Sequence, residues 1–223
     1  MADLVYPPVI VLIKSFWKYL GLNFDFQGQD NVPRKGGAIL AINHTSYFDF
    51  ALAGTAALPA KRYVRFMAKK EIFNHKVAGP LMRGMHHINV DRSNGSASFV
   101  AALRSLKAGE IIGIFPEGTI STSFEIKELK SGAVRLAIGA GVPVIPTIVW
   151  GSQRIWTKGV KRDLRRRKIP IFVTVTDSLY TSMYKDLLDI GHGDIRIGMT
   201  NENSAVEQDL GGGESRNIFE NTD

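Results

Sequence analysis

The stretch AILAINHTSYFDF, residues 38–50, decides how the chain is organised, because its periodicity changes halfway along. Ala38–Ile42 is an unbroken apolar run of strand length. Asn43 and His44 end it, and residues 48–58 take up helical spacing. Strand, polar turn and helix in that order make the first half of a βαβ unit. Asp49 follows five residues after His44. Inside one helix, that step would turn the two side chains roughly 140° apart. If His44 lies in the turn and the helix begins at Ser46, Asp49 falls in the first helical turn and can reach back. Two readings then fit. Either His44 is a base oriented by Asp49, or a strand end simply meets a capped helix, since Ser46-x-x-Asp49 is a capping-box pattern with Asp in place of Glu.

Outward from this unit, apolar runs of strand length recur at 63–67, 87–90, 111–115, 144–149 and 169–175. Helical patterns lie between several of them. One covers 96–106, with Phe99, Leu103 and Leu106 at helical spacing after the turn residues Ser93, Asn94 and Gly95. Another covers 131–140 and is ended by Gly141 before Pro143. The alternation predicts an α/β fold with a mixed, partly parallel sheet flanked by helices. Three regions are expected: an amphipathic helix at a membrane interface over 1–23, the main domain over 24–199, and an acidic tail over 200–223. Too few apolar residues lie in that tail to offset its chain entropy, so it is expected to stay disordered.

The 223 residues suit a single domain with a substantial core. No cysteine is present, which excludes disulfides, thiolate zinc sites and a Cys nucleophile. The net charge of +7 hides an asymmetry, since residues 200–223 carry −5 and the rest of the chain +12. A body this basic expects anionic partners: nucleic acid, phospholipid head groups or phosphorylated small molecules. Residues 7–22, PPVIVLIKSFWKYLGL, are too short and too charged to cross a bilayer, which takes roughly 20 apolar residues. They also lack the basic start and small-residue cleavage site of a signal peptide. Lys14 and Lys18 share one helical face, with Val9, Ile10, Ile13, Trp17 and Leu20 largely elsewhere. That pattern fits a helix lying in the membrane interface, with packing against its own domain as the alternative.

Several catalytic signatures are missing: G-x-S-x-G, the G-x-x-x-x-G-K-[ST] phosphate loop, G-x-G-x-x-G and H-E-x-x-H. His86 and His87 are adjacent, so in a strand they would point to opposite faces, a poor arrangement for holding one metal. No metal site or cofactor is expected. A second informative stretch is IIGIFPEGTIS, residues 111–121, where a strand runs into Pro116, Glu117, Gly118 and Thr119. Like His44, it occupies a strand's carboxyl end, where α/β folds place their ligands. Gly118 permits close backbone approach and Thr119 supplies a hydroxyl.

In order and spacing, NHTSYFD followed some seventy residues later by FPEGT resembles the glycerolipid acyltransferase family, whose best-known members are 1-acyl-glycerol-3-phosphate acyltransferases. The family's N-H-x-x-x-x-D block is met by Asn43, His44 and Asp49, and its F-P-E-G-T-R-S block by Phe115 to Thr119 and Ser121. MAKKEIF (67–73) and GMHHINVDR (84–92) are similar to the intervening lysine-bearing and arginine-bearing blocks. KSGAVRLA (130–137) and VPVIPTIVWG (142–151) are similar to the later ones. The resemblance covers about residues 24–152. One departure matters: Ile120 stands where the family pattern has an arginine taken to hold the acceptor's phosphate. Lys69, Arg92 and Lys130 are the candidate replacements.

The resemblance implies O-acyl transfer from an acyl thioester, acyl-CoA or an acyl carrier protein, to the hydroxyl of a lysophospholipid. The most fitting acceptor is 1-acyl-sn-glycerol-3-phosphate. His44 would take the hydroxyl proton, Asp49 would orient it, and Glu117, Gly118 and Thr119 would position the acceptor. Histidine suits the task because its ordinary pKa is near 6.5. The oxyanion donors are expected among backbone N–H groups near Gly118 or at a helix start. The enzyme would sit on the cytoplasmic face of the membrane, peripheral or monotopic. Nothing in the sequence specifies an oligomeric state. The cluster Lys158, Lys161, Arg162, Arg165, Arg166, Arg167 and Lys168 could face the membrane or receive the donor's phosphates. Two other functions compete. Ile120 is compatible with a different membrane acceptor, such as a lyso-glycolipid. A basic nucleic-acid-binding module would use the same cations, but no nucleic-acid motif accompanies them and the aromatics are not interleaved.

Overall fold

The computed structural model describes residues 3–91 and 95–179, together with the backbone of three short strands in 195–216. Helix α1 (Tyr6–Leu20) leads into β1 (Asn23–Gln27). There follow β2 (Ala38–Ile42), α2 (Asp49–Ala56), β3 (Val64–Lys69), α3 (Lys70–Asn74), α4 (Ala78–Gly84), β4 (Ile88–Val90) and α5 (Gly95–Lys107). The chain continues through β5 (Ile111–Ile114), α6 (Gly132–Ala140), β6 (Val144–Trp150) and β7 (Pro170–Val175). The seven strands form one sheet in the order β1-β7-β6-β2-β5-β3-β4. Every neighbouring pair is parallel except β6 with β7, so the sheet is mixed and mostly parallel.

Period-two side-chain alternation divides the core between the two faces. From β2, Ala38, Leu40 and Ile42 face the side covered by α1 and α2, where they meet Trp17, Leu20, Leu52 and Ala56. Ile39 faces the opposite side, against Ala102 and Leu106 of α5 and Leu136 and Ala137 of α6. Both faces are therefore buried, which is why β2 reads as a continuous apolar run. Both β2 and β5 alternate without a polar break, so Ile111 joins the first cluster and Ile112 the second.

Helix α1 begins with two prolines and closes at Gly21, whose φ of 68° is left-handed. Tyr6, Trp17 and Leu20 anchor it to the domain, and the Tyr6 hydroxyl donates to the Val64 carbonyl. Leu4 and, on the helix, Val11, Leu12 and Tyr19 remain exposed. No described helix is long and apolar enough to cross a membrane.

Strand β1 and helices α3 and α4 were not expected from the sequence. Strand β1 alternates exposed and half-buried positions at the sheet edge, and the polar residues Asn23, Asp25 and Gln27 concealed it. Helices α3 and α4 are short, and Gly79 and Pro80 interrupt their pattern. The backbones of Ile195–Gly198, Glu207–Leu210 and Glu214–Arg216 pair as an antiparallel three-stranded ribbon, and the rest of the 200–223 tail lies outside the described residues. Arg92, Ser93 and Asn94 lie outside the described residues.

Candidate active site

Three adjacent strand ends build the site. Strand β2 lies between β5 and β6, all three parallel. Their carboxyl ends deliver His44, Glu117 and Ser152 to one edge of the sheet, as open α/β sheets do for their ligands.

His44 Nδ1 lies 3.2 Å from Asp49 Oδ2. The same oxygen accepts the N–H groups of Thr45 and Ser46, both at 2.7 Å. Asp49 Oδ1 accepts the Ser152 hydroxyl at 2.6 Å. Asp49 is fully buried, and its two oxygens thus hold four partners. A carboxylate only accepts, so the proton of the His44–Asp49 contact sits on Nδ1 and the Nε2 lone pair is left to act. Nε2 has no protein partner among the described residues, and the His44 side chain keeps 20% of its exposure.

The backbone of His44 is clamped as firmly as its ring. Its N–H donates to Glu117 Oε1 at 2.7 Å, and its carbonyl accepts the Ser121 N–H at 2.7 Å. The ring stacks on Phe115, centroids 4.0 Å apart. Asn43 holds the preceding residue to β6: its amide donates to the Val149 carbonyl at 3.0 Å and accepts the Val149 N–H at 2.7 Å. On the other side, the Trp156 carbonyl accepts the Ser46 hydroxyl at 2.7 Å and the Tyr47 N–H at 3.2 Å. Thr157 closes the loop by donating its hydroxyl to the Thr45 carbonyl at 2.6 Å.

The capping pattern is realised only by half. Asp49 reaches back to the Ser46 N–H, but Ser46 Oγ accepts from Phe48 N–H at 3.1 Å rather than from Asp49. The helix α2 itself carries no side-chain N-cap. The loop's closing group is the carboxylate of Asp49, so the capping role and the orienting role fall on one residue.

Glu117 is buried, and both its oxygens are engaged by main chain: Oε1 by His44 and Oε2 by the Lys127 N–H at 3.2 Å. In this arrangement it ties two loops together. Gly118 has φ of 68°, a left-handed conformation that favours glycine, and Lys130 lies over it, 3.4 Å from where a Cβ would sit. The Gly118 N–H donates to the Phe115 carbonyl, and the N–H groups of Thr45, Ser46, Tyr47 and Phe48 are all engaged. Of the expected oxyanion donors, the Gly118 N–H and those of the turn before α2 are engaged, whereas the neighbouring Thr119 N–H has no partner among the described residues. Lys69 is exposed at the end of β3, beside β5, while Lys70 pairs with Asp91 at 2.6 Å. Ile120 is buried.

His86 and His87 hold structural positions. His86 has φ of 57° and precedes β4, and His87 accepts the Phe66 N–H on Nδ1 at 3.0 Å. Burial, with Arg65 nearby, pushes the His87 pKa down to about 4. No group of three or more His, Asp or Glu that could hold a metal occurs among the described residues. In the basic segment, Asp163 is bridged by Arg165 at 2.8 Å and by Arg167 at 2.7 Å, which hold it well below the usual carboxylate range.

Ser152, Lys127 and the Trp156–Thr157 clamp escaped sequence reasoning. Ser152 directly follows the apolar block that ends at Gly151, which was the one available signal for it.

A histidine presented by a buried, fully bonded carboxylate at the carboxyl end of a parallel strand has a ring nitrogen free to accept a proton. The acyltransferase family model matches residues 23–150, more than half of the chain, and the chain belongs to that family. Over 135 residues it is 37% identical to a protein of Bacillus subtilis (strain 168) named 1-acyl-sn-glycerol-3-phosphate acyltransferase, covering 59% of this chain and 66% of that one. A protein of the same name from Limnanthes alba is 32% identical over 167 residues, 70% of this chain and 54% of its own length. The chain thus spans roughly half to two-thirds of these relatives. The crystal structure of the 1-acyl-sn-glycerophosphate acyltransferase PlsC from Thermotoga maritima superposes with a TM-score of 0.63 over 82% of this chain and 76% of that one. At 21% identity, that likeness is one of fold.

Proposed function

We propose that the chain transfers a fatty acyl group from an acyl thioester to the free hydroxyl of 1-acyl-sn-glycerol-3-phosphate, giving phosphatidic acid. The observation that carries this reading is the 3.2 Å contact of His44 Nδ1 with a carboxylate held by three further donors, which leaves Nε2 unpaired. Nε2 takes the proton of the acceptor hydroxyl as its oxygen attacks the thioester carbonyl. Asp49 stabilises the imidazolium, and the proton then passes to the departing thiolate. No acyl-enzyme is formed, because the acceptor supplies the nucleophile. Thr119 N–H, which has no partner among the described residues and follows the turn bonded to His44, is the oxyanion donor. Lys69 and Lys130 supply positive charge to the acceptor side. Glu117, Gly118 and Thr119 shape that side, with Glu117 acting through the His44 backbone.

The exposed Val11, Leu12 and Tyr19 of α1 would lie in the membrane interface, so that acceptor and product never leave the bilayer surface. The donor is acyl-CoA or an acyl carrier protein, and no metal or cofactor takes part. The test incubates the full chain with long-chain acyl-CoA and lysophosphatidate and follows thiol release. Wild type should turn over, while His44→Ala should melt normally and lose about 10³-fold in activity, within the 10²–10⁴-fold contribution of a general base. Release of thiol only with an acceptor lacking phosphate would move the reading to a lyso-glycolipid. Equal turnover by His44→Ala would end it.

A further inference from the structure

The loop after the FPEGT turn is stitched back onto the site, and it carries a lysine that the acyl-transfer chemistry above does not use. Lys127 N–H donates to Glu117 Oε2 at 3.2 Å, the same carboxylate whose other oxygen holds His44 N–H at 2.7 Å. Lys127 is therefore separated from the catalytic loop by one carboxyl group. Its ammonium lies 3.4 Å from the Ile120 carbonyl, and the next residue, Ser121, donates its N–H to the His44 carbonyl at 2.7 Å. Three residues further, Lys130 N–H is fixed to the Pro116 carbonyl at 3.0 Å, and the Lys130 side chain crosses Gly118. Two cations thus lie against the Glu117–Ile120 turn, Lys127 at the Ile120 carbonyl and Lys130 over Gly118, and neither meets a carboxylate among the described residues.

Lys127 is half-buried while residues 122–126 and 128–131 around it are exposed. With only a carbonyl for partner, the Lys127 ammonium keeps donors that an anion would complete with charge-assisted hydrogen bonds. Ile120, for its part, is turned into the core and offers the site nothing charged.

We propose that Lys127, together with Lys130, binds the phosphate monoester of the acyl acceptor, and that Lys127 is the residue which makes this chain select a phosphorylated acceptor. The two ammonium groups reach the head group from a loop rather than from position 120. Because Glu117 fixes both Lys127 and His44 through their backbone N–H groups, one carboxylate sets the spacing between the phosphate and the base. The proposal rests on the acyl-transfer reading for its substrate. Its head-group contact stands on the geometry of the loop.

Lys127→Gln tests it, because the substitution keeps the backbone N–H that Glu117 uses and removes only the charge. Two measurements are made on the full chain: steady-state acyl transfer from acyl-CoA to lysophosphatidate and to a monoacylglycerol, and calorimetric titration with glycerol 3-phosphate alone. Loss of one charge-assisted phosphate contact should raise KM for lysophosphatidate, and weaken glycerol 3-phosphate binding, by about tenfold to a hundredfold. The effect on kcat should be smaller. Lys127→Arg should recover most of the loss, and the selectivity for lysophosphatidate over monoacylglycerol should fall in Lys127→Gln. An unchanged KM, or an equal loss on both acceptors, would overturn the proposal, as would glycerol 3-phosphate binding indifferent to Lys127. Lysine-dependent glycerol 3-phosphate binding in a protein without acyl transfer would instead overturn the acyl-transfer reading and uphold the head-group site.

Discussion

Asp49→Asn separates what the carboxylate does for the loop from what it does for the base. Oδ2 is fixed by the Thr45 and Ser46 N–H groups, each at 2.7 Å, and Oδ1 by the Ser152 hydroxyl at 2.6 Å. In the amide, oxygen must occupy the Oδ2 position, because an NH2 there would face two N–H donors and His44 Nδ1–H. The NH2 then meets Ser152 Oγ, a hydroxyl that can rotate to accept. Loop and tautomer are both retained, and only the negative charge opposite the forming imidazolium is lost. For unit charges about 4 Å apart at an effective dielectric near 20, that attraction is about 4 kcal/mol. The neutral hydrogen bond left behind returns about 1 kcal/mol of it. The net 3 kcal/mol or so corresponds to a fall in kcat of roughly 10²-fold.

Asp49→Ala, by contrast, strips the partner from three buried donors, each costing about 1–3 kcal/mol. Even the lower figure is about 3 kcal/mol in total, a melting-temperature drop of roughly 6–12 °C at this chain length. Thiol release and scanning calorimetry on the same preparations read both effects. The reasoning fails if Asn costs as much activity as His44→Ala, or if Asn and Ala melt at the same temperature.

Two further outcomes follow from groups around the site. His87 titrates near pH 4 in the fold and near its ordinary 6.5 when unfolded, so between those values the unfolded chain binds the extra proton. Stability should therefore fall as pH drops through that window, by on the order of 3 kcal/mol. Urea midpoints at pH 7.5 and 4.5 should differ far less in His87→Asn, whose amide oxygen can accept the Phe66 N–H. Equal pH dependence in the two proteins would refute the assignment. Gly118→Ala must hold a left-handed φ of 68° with its Cβ 3.4 Å from Lys130 Cε, and should lose about 1–2 kcal/mol by calorimetry. A melting temperature equal to that of wild type would show that the turn relaxes.

Much of the sheet was legible because its strands are apolar runs, both where two faces are buried, as in β2 and β5, and where exposed positions are apolar too, as at Ile148 of β6 and Phe172 of β7. Strands β2, β3, β5, β6 and β7 fall within two residues of the apolar runs that predict them. Strand β1 and the helices α3 and α4 were not legible, since an edge strand with one wet face and two short helices carry too little periodicity. The site divides in the same way. The pairing of His44 with Asp49 could be read because both lie in one local turn, where spacing dictates geometry. The partners that arrive from other strands could not. Ser152, Phe115 and the Trp156 carbonyl reach the loop only through the β6-β2-β5 order, which no local pattern encodes.

Glu117 shows why that distinction matters for function. From the sequence alone it is a carboxylate in a turn, available to a substrate. In the fold both of its oxygens hold backbone N–H groups, one on the loop of the base and one on the loop of Lys127. A group that joins two loops in this way sets a distance rather than a charge. Base and cation come from segments more than eighty residues apart in sequence, and this buried carboxyl is the contact that fixes their spacing. On the proposed reading, the acceptor's hydroxyl and its anionic group would be measured against this one carboxyl group. Changing the length of the acid, as in Glu117→Asp, would disturb that register even with the charge retained.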